Sequence, residues 1–63
     1  MKGFIIEISY NVGTWRTYNS FLVLAWTEPA AKRKARKKVE VIHGEKVTKA
    51  EYKTIVIKDE VLL

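Results

Sequence analysis

The sequence predicts an α+β domain: a three-stranded antiparallel sheet, built in the order β-β-α-β with strand order 2-1-3, and one helix packed on one face. Three observations carry this. Two strand-like stretches stand close together near the start, joined by a short Asn/Gly turn. One segment in the middle repeats its apolar residues at helical spacing. A last segment, YKTIVIK, is rich in β-branched residues.

The first strand spans residues 4–10. Phe4, Ile6, Ile8 and Tyr10 alternate with Ile5, Glu7 and Ser9, the period of a half-buried strand. Asn11, Val12, Gly13 and Thr14 form a turn, since Asn and Gly tolerate positive φ. The second strand spans residues 15–26, and the short loop makes the pair an antiparallel hairpin. Asn19 and Ser20 are poor strand formers, which predicts a bulge there or a late start to the strand. The third strand spans residues 52–58, after a polar stretch over 45–51 that reads as a loop with a ragged strand start.

The helix is predicted from Thr27 as N-cap to Gly44 as C-cap. Glu28 and Pro29 both suit a first turn. Ala31, Ala35, Val39 and Ile42 draw a narrow apolar stripe, and the alanines let the helix lie close on the sheet. The predicted core is Phe4, Ile6, Ile8, Phe21, Val23 and Ala25 against that stripe. From the third strand either Ile55 and Ile57 or Tyr52 and Val56 face inward; the pair Ile55 and Ile57 is preferred. The helix carries the chain back from strand two, so strand three pairs with strand one through a right-handed crossover.

Composition narrows the function. The chain has 63 residues, one domain's worth, and no Cys, so neither disulfides nor thiolate metal sites are available. A net charge of +5 favours anionic partners. Half of the Lys and Arg, six of 12, fall in seven consecutive residues: Lys32, Arg33, Lys34, Arg36, Lys37 and Lys38. The run FLVLAW is too short to span a bilayer, and Glu7 interrupts any signal-peptide core, so a cytoplasmic protein is expected.

Catalytic chemistry finds no support. The lone His43 suits a helix C-terminus, where a cation meets the last carbonyls. No metal ligand set, no activated nucleophile and no phosphate loop is visible, so a non-enzyme without cofactor is expected.

Two functions remain. The first is nucleic-acid binding through Lys32, Arg33, Lys34, Arg36, Lys37 and Lys38, mostly by phosphate contacts, with Arg16 assisting and Trp15 and Tyr18 available for stacking. Neutralising four to six phosphates gives a log K against log salt slope of about −4 to −5. The second is a protein-interaction module or inhibitor. Alternation turns Leu22, Leu24 and Trp26 away from the helix, with Ile5 and Tyr18 beside them. Burying four such side chains is worth about 6–12 kcal/mol, comparable to the whole stability of a small domain. Three covers are open: the tail Val61-Leu62-Leu63, a second copy in a homodimer, or a heterologous partner. An open edge of strand two or three offers further contact, and the basic helix steers toward an acidic protein.

The run FLVLAWTEPAAKRKA, with Phe21, Val23 and Ala25 leading into Ala31 and Ala35, resembles the strand-into-helix pattern of small phage accessory proteins. Size and β-β-α-β order are similar to those of the T7-type phage inhibitors of bacterial RNA polymerase. The likeness implies an architecture and a phage or mobile-element origin. It implies no activity: the inhibitor's helix is acidic where this one is basic, and Val56 and Lys58 fall near the places of its functional arginine pair.

Overall fold

A computed structural model describes residues 2–58, with side chains for residues 2–55. Strands β1 (Lys2–Val12) and β2 (Trp15–Ala25), helix α1 (Glu28–His43) and strand β3 (Thr48–Lys58) follow in that order. The sheet order is β2-β1-β3, and β1 is antiparallel to both neighbours. The predicted α+β fold and strand order are therefore what the chain adopts.

The helix starts and stops where local chemistry places it. Thr27 is extended at φ −137, and its hydroxyl accepts from the Ala30 N–H at 3.3 Å. Gly44, at φ 71, supplies the left-handed residue that turns its own N–H back onto the Glu40 carbonyl. Ala31, Ala35 and Val39 are fully buried against the sheet.

The hairpin turn is tighter than the sequence predicts. β2 begins at Trp15 as expected, but β1 runs on to Val12, so the turn is Gly13-Thr14 alone. Gly13 has φ 60, as the first central residue of a type II′ turn does, and the twist of that turn suits a hairpin. The bulge expected at Asn19 and Ser20 is not there. They pair in register with Ile8 and Glu7, because unbroken pairing on both sides holds two poor strand formers in line. Irregularities fall instead between β1 and β3, at Gly3/Phe4 and at Ser9/Asn11, where Lys49 takes φ 50.

β3 begins four residues earlier than predicted, at Thr48, and presents its other face inward. Ile5 pairs with Ile55, and Ile8 with Tyr52. Ile8 is buried under the helix, so Tyr52 packs into the core and Ile55 is 48% exposed on the far side. The expectation for Ile55 was wrong because β1, not the hydrophobicity of β3, sets the parity. The side chains of Val56 and Ile57 lie outside the described residues, as does the Val61-Leu62-Leu63 tail.

Two buried groups form the core: Phe4, Ile6, Val23, Ala25, Ala31 and Ala35, then Ile8, Tyr10, Val39 and Val47. Half-buried Phe21 and Tyr52 pack against both. Val47, unforeseen in the sequence, is held by its own backbone. Its N–H donates to Glu40 Oε2 at 3.2 Å, and its carbonyl accepts from Arg36 Nη2 at 2.9 Å. Ile42, expected in the core, is 60% exposed and borders a groove beside β2.

Among the described residues Thr54 Oγ1 is buried without a hydrogen-bond partner. Thr54→Val removes that hydroxyl and keeps the shape, so it is expected to raise stability by about 1 kcal/mol in urea unfolding.

Candidate binding surfaces

The core stripe divides the cations of α1 into two flanks, because residues three and four apart share a helix face. Toward β3, Lys32 pairs with Glu28 at 3.1 Å and its ammonium sits 5.7 Å from the Tyr52 ring centre. Arg36 pairs with Glu40 at 3.5 Å while holding Val47. These two cations are largely offset locally.

Toward β2 the balance differs. Lys34 donates to the Leu24 carbonyl at 2.7 Å, and the Lys38 ammonium lies 5.5 Å from the Phe21 ring centre. Lys37 and the exposed Arg33 stand beside them. Among the described residues no carboxylate lies within ion-pair distance of Arg33, Lys34, Lys37 or Lys38. Lys34, Lys37 and Lys38 form one wall of an open groove of about 630 Å³. Phe21, Leu22, Val23, Leu24, Val41 and Ile42 complete it. Val41 is 73% exposed, so a strongly apolar floor adjoins unpaired positive charge.

Arg16 does not join this set. It lies on the opposite face of the sheet, where it reaches across β1: Nη1 donates to Asn11 Oδ1 at 2.9 Å and to the Lys49 carbonyl at 3.1 Å, and Nη2 meets Glu51 Oε1 at 2.5 Å. The nucleic-acid role expected of Arg16 is thus separated from the helix by the thickness of the sheet. Its position in the strand register, paired with Asn11, puts it with the outward-facing residues.

That outer face is zoned. Leu22, Ile5 and Ile55 form one row across all three strands, with Leu24 beside Gly3. The next rows are Ser20-Glu7-Lys53 and Tyr18-Ser9-Glu51. Leu22 and Tyr18 are exposed, and Ile5 and Leu24 are half-buried. Trp26 stands beyond the end of β2 in a bend, exposed, so strand alternation does not assign it to this face as expected.

At the other end of α1, the Tyr10 hydroxyl hydrogen-bonds Asn19 Oδ1 and lies 2.8 Å from His43 Nε2. Burial raises the Tyr10 phenol above its ordinary value of 10.0. A phenol with a raised pKa in the fold keeps its proton longer there than in the unfolded chain. Its contribution is whole below the unfolded value and is lost as pH climbs toward the folded one. Urea midpoints are expected to fall above roughly pH 10, and Tyr10→Phe to flatten that part of the decline.

Among the described residues no helix is long and apolar enough to cross a membrane. No group of three His, Asp or Glu side chains there could hold a metal ion. Comparison with protein-family models, curated proteins and solved structures finds no match to the chain.

Proposed function

We propose that this chain is a non-catalytic binding module whose partner is an acidic protein surface, taken up on the side of the molecule between α1 and β2. The observation that carries this is the meeting of Lys34, Lys37 and Lys38, unopposed by acid among the described residues, with the exposed aliphatic side chains of Val41, Ile42 and Leu22. Phosphates would use the lysines and leave the aliphatic floor wet. A protein segment with both carboxylates and aliphatic side chains uses both.

A second reading is phosphate-directed nucleic-acid binding. It is favoured by the double row Arg33/Lys37 and Lys34/Lys38, each pair one helical turn apart. With Lys32 and Arg36 offset and Arg16 on the other face, four cations remain. The duplex salt slope then becomes about −3.6, shallower than six contacts would give.

Calorimetric titrations separate the two. The probes are an acetylated nonapeptide of alternating glutamate and valine, a nonapeptide of glutamate alone, and a DNA duplex. The acidic-protein reading requires the alternating peptide to bind most tightly. A glutamate-only peptide that binds equally well, or a duplex that binds better with the four-cation salt slope, overturns it.

A further inference from the structure

The two edges of the sheet are built differently. β3 carries Lys49, Glu51 and Lys53, a left-handed residue at Lys49 and two breaks in its register against β1. These are devices that keep an edge from pairing with a foreign strand. β2 has none of them beyond Arg16 at its start. From Thr17 to Ala25 it holds no charge, no Gly and no Pro, and its register against β1 is unbroken over 11 residues.

The free backbone groups of β2 can be assigned. Val12 and Trp15 flank a two-residue turn, so they form a hydrogen-bonded pair. Alternation then commits Thr17, Asn19, Phe21 and Val23 to β1. The N–H and C=O groups of Tyr18, Ser20, Leu22 and Leu24 face away from the sheet. The bond from Lys34 to the Leu24 carbonyl agrees with that parity and places this edge at the mouth of the groove.

We propose that the β2 edge seats an added strand: an extended, acidic segment of a partner protein that pairs with Tyr18, Ser20 and Leu22. This rests on the reading that the α1–β2 side takes an acidic protein. Alternation in the added strand sends one set of side chains toward the helix and the other toward the outer face. Carboxylates on the helix side meet Lys34, Lys37 and Lys38. Aliphatic side chains on the other side lie against Leu22 and Leu24 and lengthen the Leu22-Ile5-Ile55 row. Charge selects this occupant over a second copy, since two β2 edges joined about a twofold axis bring the three lysines of each copy together.

The test uses the whole chain and the glutamate–valine nonapeptide, with a lysine–valine nonapeptide as control. Amide exchange is followed by NMR. The Tyr18, Ser20 and Leu22 amides are expected to slow at least about tenfold at saturation, and the control peptide to bind about tenfold or more weakly. Ser20→Pro removes only an N–H that faces solvent, so the fold is retained and affinity drops about tenfold. Peptide that binds in a lysine-dependent manner while those amides exchange as before overturns the added strand and leaves the acidic-partner reading standing. No binding overturns both. Protection that grows with protein concentration without peptide shows β2 pairing with its own copy, and overturns the occupant proposed.

Discussion

Phe4→Ala is expected to remove the larger part of the stability of this protein, about 3–5 kcal/mol. Phe4 is 2% exposed and packs with Ile6, Val23, Ala25, Ala31 and Ala35. The helix rides on alanines, so the volume between it and the sheet is filled almost wholly from the sheet side. Three of those five neighbours are alanines, too short to reach into the space a phenyl ring leaves, and Ile6 and Val23 are held in the sheet, so the cavity collapses only in part. At about 0.05–0.15 kcal/mol per residue, a chain of 63 residues holds roughly 3–9 kcal/mol in all. Urea unfolding followed by far-UV circular dichroism should show the midpoint falling by more than half. A loss under about 1 kcal/mol would mean that Phe4 is not the wedge between the layers.

The second large effect is on binding. Lys34→Glu, Lys37→Glu and Lys38→Glu together are expected to weaken the glutamate–valine nonapeptide roughly 100-fold. Each exposed pair is worth about 0.2–1 kcal/mol, and reversal exchanges attraction for repulsion at three positions. The fold should scarcely notice. Lys34 gives up one exposed hydrogen bond to the Leu24 carbonyl, Lys37 is exposed and Lys38 touches only a half-buried ring, so the loss of stability stays within about 1 kcal/mol. Reversal of Lys32 and Arg36 makes the contrast: their acids are already in place at Glu28 and Glu40, so binding should change little while stability falls. If both sets weaken the peptide alike, net charge alone is at work and the groove has no part in it.

The fold was legible wherever one residue type answers one local need. Thr27 and Gly44 mark the helix ends because a free N–H needs an acceptor and a left-handed residue needs no Cβ. Strand order followed from one short turn and one crossover. What escaped reading depends on partners distant in the chain. Tyr52 outranks Ile55 for the core only because Ile8 fixes which face of β3 looks inward. Ile42 has the right spacing for the core stripe, yet near its end the helix lies beside the β2 edge, and that side chain opens onto the groove.

The candidate site divides the same way. Lys32 and Arg36 each lie four residues from an acid, a spacing present in the sequence, yet all six helix cations were expected to bind, and only the structure separates these two from the rest. The capture of Arg16 by Glu51, 35 residues away, has no such spacing to show it. The six helix cations looked like one surface in sequence and form two in space. Only the side toward β2 is left with unanswered charge among the described residues.

The length of the hairpin has an optical consequence. Trp15 closes one end of β2 and Trp26 follows the other, so the backbone separates the two residues by up to about 36 Å in a body 39 Å long. Both are exposed, at 77% and 71%, and each should fluoresce at long wavelength and yield readily to iodide quenching. A ligand seated near Leu24 shields one emitter and leaves its twin untouched. Single-tryptophan variants would therefore report, without any label, which tip of the molecule has been covered.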